Sequence, residues 1–263
     1  MKHIASRDNP HFKALKKLSG SGRERRKTGR AWLDGMHLIE AYGQHVGMPE
    51  EVVVSESGTR RREIARYLES GKAGGAITVL ADALFDDLAM VETPSGIMAV
   101  VMPPRCAREP DLEIDSVLLD GIQDAGNLGS VLRSAAAAGF RQILLSADCA
   151  QPWSPKTLRA AMGAHFQLDI HESCDLPAFL ASYRGQVVLT VPDASVSLYS
   201  LDLKEPVAWV FGSEGQGVRP EVARSTPLQV CIPMPGASES LNVAAAAAVC
   251  LFETIRQRQC PRP

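Results

Sequence analysis

The sequence predicts an α/β protein: a parallel sheet covered by helices in the C-terminal part, preceded by a smaller α/β unit. Three observations carry that expectation. From residue 116 onward, short apolar runs alternate strictly with helix-like segments, as strands buried on both faces require. The pair Pro103-Pro104 follows the apolar run Ile97–Val101 and marks the one clear break in composition, which divides the 263 residues into 1–104 and 105–263. The makeup, 45% hydrophobic, 22% charged and 5% aromatic, is that of a soluble globular chain and argues against disorder or a membrane protein.

In the first region Asn9-Pro10 precedes a predicted helix over His11–Leu18. Ser19–Arg30 reads as an exposed basic loop, expected to order only on a polyanion, and Ala31–Tyr42 as a second helix. Val52–Val54, Ile77–Leu80 and Ile97–Val101 are short strands, separated by helical patterns at Arg60–Glu69 and Asp82–Met90. In the second region the predicted strands are Ser116–Asp120, Gln142–Ser146, Phe166–Ile170, Gln186–Val191, Val207–Phe211 and Leu228–Ile232. Helices are expected at Leu128–Gly139, Pro155–Gly163, Asp175–Tyr183, Arg219–Ser225 and Ser240–Arg258.

Charge is uneven. The chain carries a net −2, yet residues 1–30 hold ten Lys or Arg against two acids, while from residue 106 onward twelve Lys or Arg face seventeen Asp or Glu. Clustered cations bind phosphate polymers by counterion release, so Lys13, Lys16, Lys17, Arg23, Arg25, Arg26, Lys27 and Arg30 are candidate RNA contacts; a solvated helix and loop is the plain alternative. The first residues lack the apolar stretch of a secretory signal, and the longest apolar run, Leu241–Phe252, is too short to span a bilayer. A cytoplasmic protein with no membrane partner is expected. Six scattered cysteines, including Cys260, form no CxxC pair and no zinc-ligand spacing, so reduced thiols and no metal are expected.

Ligands of parallel sheets bind beyond the carboxyl ends of the strands, so three loops matter most. The first, residues 118–140, runs from a strand through Gly121, Gly126 and Gly129 into a helix carrying Asn127 and Arg133. Its spacing is neither GxGxxG nor a P-loop, and Asn127 as a helix cap with Arg133 as a surface charge is the simpler alternative. The second follows the apolar strand at 207–211 with Gly212-Ser213-Glu214-Gly215-Gln216-Gly217, where glycine-flanked amides can hold the Glu214 carboxylate; a tight turn with a solvated acid is the plain alternative. The third passes Pro233, Pro235 and Gly236 to Ser238–Asn242, which opens an alanine-rich helix; Ser240 or Asn242 is its natural cap.

Taken in order, these stretches resemble the SpoU (TrmH) class of RNA ribose 2′-O-methyltransferases of the SPOUT superfamily. The resemblance covers Asn127 to Arg133, Gly212-Ser213-Glu214-Gly215 and Ile232-Pro233-Met234 through Ser240-Leu241-Asn242-Val243. It extends to Ser6-Arg7-Asp8-Asn9-Pro10, Trp32-Leu33-Asp34-Gly35 and Thr93-Pro94-Ser95-Gly96-Ile97, which look like the substrate-binding domain of that class. Asp34 replaces the usual Glu, Ala125 a frequent Pro and Ala244 a frequent Ser.

The resemblance implies a C-terminal trefoil knot, S-adenosylmethionine as methyl donor and a site completed across a homodimer. It implies that Phe211, Gly212, Gly215, Ile232, Met234 and Leu241 surround the donor, and that Arg133, Asn127, Glu214, Ser240 and Asn242 form the catalytic set. An arginine stays protonated at pH 7, so Arg133 is expected to act as a cation on the ribose hydroxyl. The implied substrate is structured RNA, ribosomal in preference to transfer RNA, with a tRNA 2′-O-methyltransferase or an inactive RNA-binding relative as alternatives.

Overall fold

Helix α1 (Pro10–Gly20) starts where Asn9 Oδ1 accepts from the backbone N–H groups of His11 and Phe12, and its Phe12, Leu15 and Leu18 turn inward. In this computed structural model, which describes residues 1–259 except Glu92, Arg105, Ala107 and Ser238, the N-terminal region continues from β1 (Lys2–Ile4) and α1 through α2 (Gly22–Thr28), β2 (Ala31–Asp34), α3 (Met36–His45), β3 (Glu51–Ser55), α4 (Arg62–Glu69), β4 (Ala76–Leu80), α5 (Asp82–Asp86) and β5 (Ile97–Val101). The five strands form one mixed sheet in the order β1-β4-β3-β5-β2, parallel from β1 to β3 and antiparallel at β5. Its two faces alternate along β3: Val52 and Val54 pack with Leu33, Ile39 and Tyr42, and Val53 packs with Phe12, Leu15 and Trp32.

Two local expectations are corrected. The basic stretch 19–30 is not a loop. Ser21 Oγ accepts from the backbone N–H of Glu24, an S-x-x-E start, and Gly29 closes α2 in the left-handed region with φ 66°. Arg25 ties α2 to the end of α1, donating to the carbonyls of Leu18 and Ser19 at 3.0 and 2.7 Å. Ala31–Tyr42 is likewise not one helix: Ala31, Trp32 and Leu33 are fully buried in β2, and Gly35, with φ 101°, turns the chain into α3.

The C-terminal region contains β6 (Ser116–Asp120), α6 (Ala125–Ala137), β7 (Gln142–Leu145), α7 (Pro155–Ala161), β8 (Asp169–His171), α8 (Leu176–Ser182), β9 (Gln186–Thr190), β10 (Val196–Ser197), β11 (Val207–Gly212), α9 (Pro220–Arg224), β12 (Leu228–Cys231) and α10 (Val243–Gln259). Seven strands pair in the order β10-β12-β9-β11-β6-β7-β8, every pair parallel, as the alternating pattern predicts. The strand expected at 166–170 is shorter, because residues Ala164–Gln167 form a 3₁₀ turn before β8. The last helix begins at Val243 instead of Ser240. Cys260 and Ser238 lie outside the described residues.

The structure divides into two compact units, Met1–Pro104 with Gln151–Phe166, and Arg105–Ala150 with Gln167–Pro263. The excursion 151–166 completes the first unit's core. Leu158 and Phe166 join the cluster around Ile39 and Tyr42, Phe166 meets Tyr42 edge-on at 5.4 Å, and Trp153 covers them. His165 within it is fully buried, its Nε2 2.7 Å from the Pro152 carbonyl, and burial pushes its pKa down to about 4.

Candidate active site

In the second unit β6 and β11 are neighbours, and the chain runs from β6 to β7 on one side and from β11 toward β12 on the other. That is the switch point of an open parallel sheet, where two loops diverge and leave a crevice. Asp120, the last residue of β6, pairs in register with Gly212, the last of β11, and the first two of the three loops begin there.

Three residues from three distant loops meet at Asn242. Its Oδ1 accepts from the backbone N–H groups of Ala244 and Ala245 at 3.0 and 3.3 Å, which caps α10. Its Nδ2 donates to Asn127 Oδ1 at 3.0 Å and to Glu214 Oε1 at 2.5 Å. The capping and functional alternatives for Asn242 are thus both true, one for each end of the amide. Asn127 is free to take part because Asp124 caps α6, its Oδ1 accepting from Asn127 N–H at 2.9 Å. The Val243 N–H also points to Glu214 Oε1, at 3.4 Å, so the carboxylate lies at the positive end of a 17-residue helix.

The Glu214 turn is held at both ends. Ser213 and Gly217 exchange backbone hydrogen bonds at 2.9 and 2.8 Å, Gly217 has φ 67°, and a Cβ on Gly212 would come within 2.2 Å of the Gly217 carbonyl carbon. Beyond the turn, Arg219 donates from its backbone N–H to Asp120 Oδ2 at 2.7 Å and from Nε to Asp120 Oδ1 at 2.8 Å. Asp120 is buried, so this clamp fixes the loop against the end of β6. Sequence reasoning passed over both residues; an aspartate closing the apolar run of β6 was the available signal.

Two cavities flank this turn. One, of about 240 Å³, is lined by Leu189, Thr190, Gly212, Ile232, Met234, Ser240 and Leu241. The other, of about 640 Å³, is bounded by Asp120–Asp124, Asn127, Asp148 and Ser213–Pro220. Ser213, Glu214, Gly217, Val218 and Val243 border both. Gly212, Ile232, Met234, Ser240 and Leu241 therefore gather around the first cavity, while Gly215 and Asn127 face the second. Phe211 borders neither: it is buried beside Trp209, with ring centroids 6.2 Å apart. Arg133 also borders neither. It is exposed on α6, about 120° around the helix from Asn127, and among the described residues it has no hydrogen-bond or ion-pair partner.

The five described cysteines are free, and burial pushes the Cys149 and Cys250 thiols up, away from nucleophilic use. Among the described residues no cluster of three His, Cys, Asp or Glu is placed to hold a metal, and no helix is long and apolar enough to cross a membrane.

In the first unit the basic residues fall into two groups. Lys13 pairs with Asp8 at 3.0 Å, Arg30 with Glu50 at 2.7 Å, and Arg25 is held by α1. Lys16, Lys17, Arg23, Arg26 and Lys27 are exposed and have no hydrogen-bond or ion-pair partner among the described residues.

Comparison with known proteins places this arrangement. The family model for the SpoU rRNA methylase family matches residues 116–252, and that for the MRM3-like substrate binding domain matches residues 9–99. The chain is 35% identical to an uncharacterized tRNA/rRNA methyltransferase of Synechocystis, over 97% of this chain and 94% of that one. It is 32% identical to the 23S rRNA (guanosine(2553)-2′-O)-methyltransferase RlmP of Bacillus subtilis, over 96% and 98%. Among solved structures it superposes on the SpoU methyltransferase AviRb of Streptomyces viridochromogenes, in complex with AdoMet, with a TM-score of 0.86, 25% identity and coverage of 97% and 100%. Family models, relatives and fold together define an RNA methyltransferase of the SPOUT type. The chain belongs to the SpoU rRNA methylase family.

Proposed function

We propose that this protein transfers a methyl group from S-adenosylmethionine to the 2′-hydroxyl of a ribose in structured ribosomal RNA, working as a cytoplasmic homodimer. The observation that carries the reading is the convergence of Asn127, Glu214 and Asn242 between two cavities, one for each substrate. The smaller cavity fits the donor. Leu189, Ile232, Met234 and Leu241 offer apolar walls for an adenine, and the backbone at Gly212 and the Ser240 hydroxyl offer polar contacts. A bound sulfonium donor supplies an already activated methyl group, so the protein's own task is orientation and charge stabilisation.

Asn242 fixes Glu214 and Asn127 at the wall between the cavities, and Ser240 lies beside them on the donor side. Arg133 orients the ribose hydroxyl and stabilises the negative charge that develops on its oxygen, while the proton leaves to water or phosphate. Because Arg133 borders neither cavity of its own chain, it acts on the site of a second copy. The exposed stripe of Ala245, Phe252 and half-buried Val249 on α10, which packs against α6, supports pairing through that face. By family likeness the loops at 212–217 and 232–242 belong to a trefoil knot. Residues 1–104 act as the RNA-binding domain and 105–263 as the methyltransferase domain, with the excursion 151–166 supporting the first. The names of the relatives favour ribosomal over transfer RNA.

Treating ribosomal RNA with the protein and labelled donor, then digesting it to nucleosides, tests this reading. A 2′-O-methylnucleoside is expected. A base-methylated nucleoside or no product contradicts it.

A further inference from the structure

The first unit has a cavity of its own, of about 290 Å³, between α1, α2 and the end of the sheet. Its floor is one row across three strands, Ala76, Glu51 and Val100, which pair in register. Along β3, Val52 and Val54 face the opposite core, whereas Glu51 shares the α1 side with Val53. A carboxylate thus occupies an apolar face, 8% exposed, where a valine would pack without desolvating a charge. Its Oε1 accepts from Thr78 Oγ1 at 2.6 Å and lies 2.6 Å from His11 Nε2. Its Oε2 has no partner among the described residues. The walls are Ala14, Leu15 and Leu18 together with Glu24, Thr28 and the Arg30–Glu50 ion pair, and the same two helices carry Lys16, Lys17, Arg23, Arg26 and Lys27.

Oε2 is not sealed from solvent on the cavity side, and a carboxylate only accepts. The occupant that fits must therefore present adjacent N–H donors and a flat apolar body, attached to a phosphate chain. Among the four RNA bases, guanine alone offers two neighbouring donors, N1–H and the N2 amine, on its pairing edge; adenine, cytosine and uracil each bring an acceptor there. We propose that this cavity receives an unstacked guanine of the bound RNA, with Glu51 accepting from its N1–H and N2 amine while the phosphates lie on Lys16, Lys17, Arg23, Arg26 and Lys27. The inference rests on the RNA-binding role proposed above and adds the base that the first unit selects.

The test uses the full chain and short single-stranded RNAs that differ at one position, guanosine or inosine, which lacks only the N2 amine. The wild type is expected to bind the guanosine strand about tenfold more tightly. Glu51→Gln and, independently, Ala14→Trp, which fills the cavity from the exposed side of α1, are expected to remove that preference. Thermal unfolding followed by circular dichroism, measured in parallel, verifies that both variants are folded. Equal wild-type affinities for the two strands, or a preference that survives both substitutions, overturns the guanine site. If wild-type transfer to ribosomal RNA is intact in that case, the proposed function stands; if RNA binding and transfer are both absent, the two fall together.

Discussion

The site loops of the second unit and five cations of the first hold their polar groups in opposite states of bonding. In the second, Asn127, Glu214 and Asn242 are bonded to one another, and Asp120 clamps Arg219, all within one chain. In the first, five cations extend from two short helices with no hydrogen-bond or ion-pair partner among the described residues. On the proposed function, each state of bonding suits a different kind of work. Chemistry needs dipoles fixed in advance, because reorganisation during the reaction weakens them. Attraction of a polyanion needs charges that remain available, because counterion release is independent of fine geometry. Arg133, like Arg141, Lys204 and Arg224 of the same unit, is exposed with no side-chain hydrogen-bond or ion-pair partner among the described residues, and the proposed function gives it the acceptor hydroxyl.

The largest expected effect comes from removing the Arg133 guanidinium. Arg133→Ala should lower kcat by about 10³-fold with donor affinity unchanged, and Arg133→Lys by about 10²-fold, since an ammonium lacks the planar fork. Steady-state kinetics with donor titration separates the two terms. A lysine variant at wild-type rate would show that charge alone suffices and would make Arg133 resemble the cations of the first unit.

The next effect concerns the first unit's core. His165 is neutral when folded, with a pKa of about 4, below its ordinary value of 6.5. The unfolded chain therefore binds the extra proton between those values, and stability that is complete above pH 6.5 falls as pH drops toward 4. The loss approaches about 3 kcal/mol. Denaturant unfolding at pH 7 and pH 4.5 should show it, and His165→Gln should flatten the dependence. An unchanged slope in that variant would assign the acid sensitivity elsewhere.

Asn242→Asp sharpens the comparison within the site. An aspartate still caps α10 yet places a second carboxylate against Glu214, so thermal stability should change by under about 1 kcal/mol while transfer falls by about 10²-fold. Equal losses in both would reduce Asn242 to a cap.

The smallest effect tests the free cations. Replacing Arg23, Arg26 and Lys27 by Gln should flatten the dependence of RNA affinity on salt by about two units of slope and leave donor affinity unchanged. Arg25→Gln should instead destabilise the α1–α2 corner by about 1 kcal/mol with little change in slope, because Arg25 already donates to Leu18 and Ser19.

The parallel sheet was legible because its strands are buried on both faces, and runs such as Val207–Phe211 leave little choice of period. The site loops were legible through glycine and proline at strand ends. Where the reading failed, a local signal competed with a stronger one. Ser19–Arg30 looked like a loop because its charges and glycines outweighed the Ser21–Glu24 cap, and Ala31–Asp34 looked helical because a fully buried strand has no alternation. The placement of 151–166 in the first unit depends on long-range packing of Trp153, Leu158 and Phe166, which no local pattern encodes. The resemblance sets Phe211 beside the donor, whereas its side chain lies in the core beside Trp209, on the same face of β11, and only long-range packing shows that.

The most direct test of the account maps ribose methylation across ribosomal and transfer RNA from cells with the gene, without it, and with the Arg133→Ala variant restored. The account predicts a 2′-O-methyl group in ribosomal RNA that disappears without the gene, returns with the wild-type protein and stays absent with the variant. Unchanged ribosomal RNA alongside a lost methyl group in transfer RNA, or loss of a base methyl in place of a ribose methyl, would contradict it.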